Sequence, residues 1–216
     1  MAAIELYDYW RSSAAYRVRI ALNLKGLDYQ QHSVHLVKDG GQQHQDEYTA
    51  LNPQHLVPTL IHDEQVLTQS LAIIEYLDEQ YPEPALLPQD VLARAQCRAL
   101  AQLVACDVHP LNNLRVLQYL SGPLAADAEQ KSAWYSHWIA QGFSAYETHL
   151  ANNKGPYSCG EQPSLADCCL MPQVYNARRF QCDLSPYPRL LAVVQALEAH
   201  PAFAAAAPEQ QADATP

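Results

Sequence analysis

The first eighty residues alternate between two hydrophobic periodicities. Residues 4–10 are rich in β-branched and aromatic side chains with apolar positions alternating, a pattern that predicts a strand. After Ser12 and Ser13 the apolar residues follow helical spacing, and Lys25 with Gly26 marks the end of that helix. The N-terminal segment therefore predicts a strand followed by a serine-capped helix.

The alternation continues up to residue 80. Val34 and Leu36 alternate with a histidine and predict a second strand. Residues 38–47 are polar and contain two glycines, which predicts a long exposed loop. The remaining elements predicted here are strands over 56–62 and 66–68 and a helix that begins at Gln69 and Ser70. The expected order is strand, helix, strand, then strand, strand, helix.

Prolines separate this half of the chain from a helical second half. Pro82, Pro84 and Pro88 predict a stiff linker over residues 82–90. Helical spacing then predicts four helical stretches. The first lies at about 91–120 with a kink at Pro110, and the second at 128–151. The third follows a capping box at Ser164 to Asp167, and the fourth lies at about 188–199. We expect an α/β domain over 1–81 and an all-α domain over 91–216 whose tail after Ala207 is frayed.

Composition and charge narrow the class of protein. Of the 216 residues, 49% are hydrophobic and 17% charged, which is typical of a globular protein with a substantial core. The formal charge of −10 would repel a phosphate backbone or an anionic lipid surface, so we expect no nucleic-acid or membrane partner. The chain shows neither a secretion-signal pattern nor an apolar run of about 18 residues, which predicts a soluble cytoplasmic protein.

The thiols and imidazoles do not form a recognisable metal motif. None of the six cysteines belongs to a CxxC pair, and without a secretion signal we expect reduced thiols. His32 and His35 fall in a predicted strand, where a spacing of three directs side chains to opposite faces. We therefore expect no metal site.

Hydroxyl groups stand at the predicted strand-to-helix junction. Ser12 and Ser13 lie where free backbone N–H groups and the helix dipole favour an anion. The alternative is a plain helix cap, which serines supply for many helices. Arg11 beside them favours an anionic ligand.

Two further local features allow the same pair of interpretations. Gln69 and Ser70 open the next helix, where they either cap it or bind a carboxylate. Val57 precedes Pro58, and a cis bond there would leave the Val57 backbone able to pair with an extended peptide-like ligand. A trans proline at a strand edge is the alternative.

These segments together resemble the zeta class of glutathione transferases. The resemblance is carried by residues 9–26, 51–60, 69–77, 107–113, 164–167 and 172–180 and covers nearly the whole chain. It implies a thioredoxin-like N-terminal domain with a cis proline at Pro58, an all-helical C-terminal domain, glutathione as cofactor and a homodimer.

The resemblance also assigns roles to individual residues. It implies that Ser12, with Ser13 beside it, hydrogen-bonds the glutathione thiolate, and that Arg11 and Arg179 hold substrate carboxylates, a group that the guanidinium fork suits. For Arg179, packing or pairing on a helix is the alternative. The residues implied to contact the rest of glutathione are Gln43, Val57, Gln69, Ser70, His109, Asn113 and Arg115.

The implied activity is cis–trans isomerisation of a maleyl diketo acid. The leading substrate is maleylacetoacetate, from phenylalanine and tyrosine breakdown, and the alternative is maleylpyruvate of the gentisate pathway. Transfer of glutathione to α-haloacids and a non-enzymatic glutathione-binding module are further alternatives. The family's usual Ser-Ser-Cys triplet is Ser12-Ser13-Ala14 here, so any role of that cysteine is absent.

Overall fold

A computed structural model describes residues 3–215, which divide into two compact units. The first unit combines the described residues up to Leu86 with those from Ala199 onward, and the second spans Leu87–Glu198. The first contains a four-stranded sheet, whereas residues 87–198 contain helices and no β-strand. The predicted class, α/β followed by all-α, is confirmed.

The sheet of the first unit has the strand order β2-β1-β3-β4. Its strands are β1 (Ile4–Asp8), β2 (Gln30–Ser33), β3 (Thr59–His62) and β4 (Gln65–Thr68). β1 pairs parallel with β2 and antiparallel with β3, and Leu6 on β1 faces Leu60 on β3 in the buried core. Because parallel neighbours need a crossover, the chain between β1 and β2 forms helix α1 (Ser13–Leu24).

Two more helices complete the N-terminal part of this unit. They are α2 (Asp46–Leu51) and α3 (Ser70–Gln80). α3 packs against α1 and buries Ile73, Ile74 and Leu77. Both α1 and α3 begin where the sequence places them.

The second unit contains five α-helices within residues 87–198. They are α4 (Val91–Gln102), α5 (Leu114–Ser121), α6 (Ala128–His149), α7 (Leu165–Arg179) and α8 (Pro188–Glu198). The capping box expected at the start of α7 is present: Ser164 and Asp167 each accept a hydrogen bond from the other's backbone. Asp167 is fully buried there.

Three expectations about local structure need correction. The second strand is Gln30–Ser33 and ends before Val34, because His35 Nδ1 accepts backbone hydrogen bonds from residues 37 and 38 and turns the chain. The predicted loop 38–47 contains two 3₁₀ turns and the start of α2. The helix expected over 91–120 changes to π and 3₁₀ geometry over residues 103–112, where Pro110 has no N–H to donate.

Residues 208–215 do not fit the frayed tail that the composition predicted, because they form a turn and long-range hydrogen bonds. Residues beyond α8 form α9 (Pro201–Ala206), which packs against α1, and a 3₁₀ turn over Pro208–Gln210. Asp213 then accepts hydrogen bonds from the Trp10 N–H at 3.2 Å and the Ser33 hydroxyl at 2.8 Å. These distant partners hold the tail on the first unit, and local composition gives no sign of them.

A buried ion pair joins α1 to the sheet. Arg19 and Asp8 have fully buried side chains 2.8 Å apart. Arg19 also donates to the carbonyl oxygens of Trp10 at 3.0 Å and Ala206 at 3.1 Å. Burial raises the pKa of the Asp8 carboxyl, and the adjacent Arg19 guanidinium opposes that rise.

We predict that Arg19→Met lowers the free energy of unfolding by about 3–5 kcal/mol, because Asp8 is then a buried charge without its cation. Denaturant unfolding followed by circular dichroism measures this. Adding Asp8→Leu to Arg19→Met should restore part of the loss, since neither charge then remains buried. The control is Arg178→Met, whose exposed pair with Glu198 should contribute no more than about 1 kcal/mol. Equal effects of Arg19→Met and Arg178→Met would contradict the prediction.

Candidate active site

The start of α1 presents a hydroxyl group with a proton to donate. Ser12 caps α1: its Oγ accepts from the Ala15 N–H at 3.2 Å, and its carbonyl accepts from the Tyr16 N–H at 2.8 Å. A serine hydroxyl that accepts this cap bond keeps its own proton for another partner. Capping and ligand binding, the two interpretations of Ser12, are therefore compatible. Ser13, the first helical residue, is buried.

Arg11 is held against an aromatic ring beside this hydroxyl. Its guanidinium carbon lies 4.0 Å from the centre of the buried Trp10 ring, a cation–π contact. Within residues 3–215 the buried Nε of Arg11 has no hydrogen-bond partner. The residue preceding Ser12 thus provides a positioned cation with unused donor capacity.

One hydrophobic cluster supports both the α1 junction and the segment before β3. Tyr9, Trp10, Val34, Tyr48 and Val57 form it, and Leu36 packs against it. The Tyr48 hydroxyl donates to the Leu56 carbonyl at 2.6 Å, which fixes the chain next to Val57. The cluster therefore sets the position of Val57 relative to the turn that carries Ser12.

The Val57 peptide group is available to a ligand. The Val57–Pro58 bond is cis, as the sequence allowed. Among residues 3–215, no partner hydrogen-bonds the Val57 N–H or carbonyl, and β3 begins only at Thr59. An extended peptide could pair with this backbone as another strand would.

Gln69 and Ser70 stand at the N-terminus of α3, as predicted. Gln69 has φ +70°, a conformation that non-glycine residues rarely adopt, and its amide donates to Gln54 Oε1 at 2.8 Å. Strained residues of this kind concentrate at functional sites. The buried Ser70 hydroxyl accepts a hydrogen bond from Arg17 Nη1 at 3.2 Å.

Arg17 is a residue that the sequence analysis missed. It belongs to α1, is almost fully buried, and brings a positive charge beneath the N-terminus of α3. The charge and the α3 dipole both favour an anion at Ser70. The sequence did contain a sign of a buried cation, because Arg17 and Arg19 interrupt an apolar helix and cannot both reach solvent easily.

Gln43 lies in a 3₁₀ turn of the first unit and is mostly buried. Its amide nitrogen donates to the Leu36 carbonyl at 3.2 Å, while its buried Oε1 has no partner within residues 3–215. Because Leu36 packs on the cluster that contains Val57, Gln43 is tied to the same part of the unit. The first unit thus holds seven of the predicted site residues: Arg11, Ser12, Ser13, Gln43, Val57, Gln69 and Ser70.

Four predicted site residues belong to the second unit. His109 Nε2 and Asn113 Nδ2 are 3.4 Å apart, and the Asn113 side chain caps α5 by accepting from the Arg115 N–H at 3.2 Å. The Arg115 side chain is exposed. These three residues form one group, and Arg179 lies apart from them in sequence at the end of α7.

Arg179 is an exposed cation beside stacked aromatic rings. Its guanidinium carbon lies 4.9 Å from the Phe180 ring centre, and Phe180 stacks on Tyr135 at 3.9 Å. Burial raises the pKa of the Tyr135 hydroxyl, and the Arg179 charge opposes that rise. Arg178 pairs with Glu198, whereas within residues 3–215 no carboxylate lies at ion-pair distance from Arg179.

All six cysteines lie in the second unit, so the first unit contains no thiol of its own. Within residues 3–215, no group of three or more histidine, cysteine, aspartate or glutamate side chains is placed to hold a metal ion. None of the helices formed by these residues is long and apolar enough to cross a membrane. A thiol nucleophile in the first unit would have to come from a bound molecule.

Family models match both parts of the chain. The model for the glutathione S-transferase N-terminal domain matches residues 6–85, and that for the glutathione S-transferase C-terminal domain matches residues 115–206. The chain is 55% identical over 214 residues to a probable maleylacetoacetate isomerase from Vibrio cholerae serotype O1, covering 99% of this chain and 100% of the relative.

Solved structures agree with this similarity. A holo maleyl pyruvate isomerase, a bacterial zeta-class glutathione S-transferase, aligns with a TM-score of 0.95 and 52% identity, over 98% of this chain and 100% of the other. A maleylacetoacetate isomerase from Methylobacterium extorquens AM1, with malonate and glutathione bound, aligns with a TM-score of 0.93 and 39% identity. That alignment covers 98% of this chain and 100% of the other.

Proposed function

The chain belongs to the glutathione S-transferase family, and from that premise we propose that it isomerises maleylacetoacetate to fumarylacetoacetate with glutathione as cofactor. This reaction belongs to phenylalanine and tyrosine breakdown. The observation that carries the proposal is the Ser12 hydroxyl, which caps α1 and retains a proton to donate in a unit without cysteine. We propose a cytoplasmic homodimer, as the family resemblance implies.

The residues of the first unit fit a glutathione molecule. The Val57 peptide group would pair with its cysteinyl unit, and Gln69 with Ser70 would hold its γ-glutamyl end over the buried Arg17. Gln43 offers an unpartnered buried carbonyl oxygen for a backbone N–H of the ligand. From the second unit, His109, Asn113 and Arg115 are proposed as further contacts.

Ser12 would make the thiol of the cofactor a better nucleophile. Bound glutathione supplies a thiolate that adds to the conjugated double bond, permits rotation and leaves unchanged. A cysteine-like thiol has a pKa near 8.5, and each unit by which a donor lowers it corresponds to about 1.4 kcal/mol. The Ser12 O–H and the N-terminus of α1 both stabilise a negative charge at this position.

Two arginines would hold the dicarboxylate substrate. The guanidinium groups of Arg11 and Arg179 each lie against an aromatic ring, which positions them without neutralising their charge. They would bind carboxylates and stabilise the enolate charge that develops beside the keto group. Malonate bound with glutathione in the Methylobacterium relative is a dicarboxylate of similar charge.

Maleylpyruvate is the second candidate substrate. Residues 106–115 resemble the maleylpyruvate isomerases of the family at least as closely as they resemble the maleylacetoacetate isomerases. The zeta-class maleyl pyruvate isomerase of known structure is 52% identical to this chain. Ala14 stands where the family usually has a cysteine, and this departure leaves the serine-based mechanism intact.

A side-by-side assay tests the proposed function. We expect turnover of maleylacetoacetate that exceeds turnover of maleylpyruvate and requires added glutathione. Preference for maleylpyruvate would transfer the function to the second candidate. Absence of glutathione-dependent turnover with either substrate would overturn isomerisation and leave transfer to α-haloacids or a glutathione-binding module.

We predict that Ser12→Ala lowers turnover by about a hundredfold and raises the pKa of the bound glutathione thiol, because a positioned donor is lost. Thiolate absorbance across pH measures the second effect. Ser12→Ala also removes a helix cap, at a cost of about 1 kcal/mol in stability. The control is Ser12→Asp, which restores the cap but has no proton to donate. Wild-type turnover in Ser12→Asp would assign Ser12 to capping alone.

We predict that Arg179→Ala raises KM for the diketo acid by about tenfold to a hundredfold, as expected for loss of a charged hydrogen bond, and leaves the Kd for glutathione unchanged. Steady-state kinetics and calorimetry separate the two. The matched control is the neighbouring Arg178→Ala, because Arg178 pairs with Glu198. If Arg179 only packs against Phe180, the variant would lose stability while KM stays constant.

A further inference from the structure

The C-terminal end of the chain forms a short turn that is anchored next to α9. The Gln211 side-chain amide donates to the carbonyl oxygens of Ala205 at 3.1 Å and Ala207 at 2.8 Å. The Ala214 N–H donates to the Gln211 carbonyl at 3.0 Å and closes the turn. Residues 211–215, the C-terminal strap, therefore have a defined conformation.

A carboxylate on the strap connects two distant segments of the first unit. Asp213 Oδ2 accepts a hydrogen bond from the Trp10 N–H at 3.2 Å and another from the Ser33 hydroxyl at 2.8 Å. Ser33 is the last residue of β2, and Trp10 follows the end of β1 by two residues. Ala214 packs against the hydrophobic cluster that contains Trp10. The strap thus makes both polar and apolar contacts at the same place.

The strap contacts the centre of the turn that precedes α1. The Ser12 N–H donates at 2.8 Å to the carbonyl three residues earlier, so Trp10 and Arg11 are the two central residues of this turn. Arg19 donates to the Trp10 carbonyl at 3.0 Å, whereas Asp213 accepts from the Trp10 N–H. The peptide groups on both sides of Trp10 are therefore held, one by a buried side chain of α1 and the other by the strap.

The orientation of this turn decides where two groups of the proposed function lie. The Trp10 ring supports the Arg11 guanidinium, whose central carbon lies 4.0 Å from the ring centre, and Ser12 follows directly in the chain. A rotation of the Trp10 peptide away from the strap would move both groups. Because a displacement of about 1 Å in a catalytic group costs up to about a hundredfold in rate, the strap contact should affect turnover.

A single oxygen of the Asp213 side chain makes both of these hydrogen bonds. The two donors share Oδ2, while the buried Oδ1 has no hydrogen-bond partner within residues 3–215. The amide oxygen of asparagine also has two lone pairs and accepts two hydrogen bonds. Asparagine at this position would therefore retain the contact, and alanine would remove it.

We propose that Asp213 is a positioning residue that acts through the Trp10 backbone on Arg11 and Ser12. The proposal rests on the proposed function, because it takes from it the roles of the Arg11 guanidinium and the Ser12 hydroxyl. It requires no contact between Asp213 and glutathione or substrate. Without the strap, the turn before α1 keeps its hydrogen bond from Arg19 but loses the restraint on the Trp10 N–H.

Hydrogen exchange at the Trp10 amide tests the contact without glutathione or substrate. The chain has three tryptophans, so isotope-labelled tryptophan gives three backbone amide signals in NMR spectra. Trp134 and Trp138 lie within α6 and are internal references. Asp213→Ala should speed exchange at Trp10 by about tenfold to a hundredfold, as expected for loss of one hydrogen bond to a charged acceptor. The two references should not change.

Three variants separate positioning from a general loss of structure. Asp213→Ala should lower kcat by about tenfold and raise the pKa of the bound glutathione thiol, because the Ser12 hydroxyl is displaced. The Kd for glutathione should stay unchanged. Asp213→Asn retains the acceptor and should keep the wild-type kcat and thiol pKa. The control is Asp28→Ala, which removes an exposed carboxylate from the same unit and should change none of these quantities.

Specific outcomes would overturn the proposal. One is unchanged exchange at Trp10 in Asp213→Ala. Another is a wild-type kcat and thiol pKa in that variant although its Trp10 amide exchanges faster, which would limit Asp213 to holding the tail. Equal losses of kcat in Asp213→Asn and Asp213→Ala would exclude the acceptor role. If the wild-type protein lacks glutathione-dependent turnover, the proposed function fails instead, and exchange at Trp10 still decides whether the strap holds the turn.

Discussion

The first unit depends on a guanidinium that is buried at the centre of its packing. Arg19 contacts β1 through Asp8, the junction before α1 through the Trp10 carbonyl, and α9 through Ala206. A buried charge is tolerated only when its donors are satisfied, so these three elements must be in place together. Because Trp10 stands two residues before Ser12, the position of the proposed catalytic hydroxyl follows from the same interaction.

The second unit satisfies a buried charge in a different way. Asp167 is fully buried, and the residues that hydrogen-bond it within 3–215 include no cation. Burial raises the pKa of its carboxyl. The Ser158 N–H, the Ser164 N–H and the Ser164 hydroxyl donate to it at 2.7–2.9 Å. Charge-assisted hydrogen bonds of this kind offset the loss of hydration. The result is a fixed start for α7.

Much of the fold follows from local sequence, and the exceptions have tertiary causes. The caps at Ser12 and Ser164 correctly place the starts of α1 and α7, because a cap acts within one helical turn. Composition suggests that the C-terminal tail is frayed, yet Asp213 binds Trp10 about 200 residues earlier in the chain. Contacts over such a separation leave no periodic signal in the sequence.

The candidate site residues likewise fall into two groups, those that the local sequence predicts and those that it does not. Ser12, Val57 and Ser70 could be proposed from the sequence because each stands at the start of a helix or just before a strand, where backbone groups lack partners. Residues such as His109 and Arg179 came only from the family resemblance, since nothing in their local pattern distinguishes a ligand contact from a helix surface. Arg17 is a residue that neither the local pattern nor the family resemblance identified. Its charge acts from beneath α3 through Ser70, so only the packing shows that the position proposed for the γ-glutamyl end has a cation behind it.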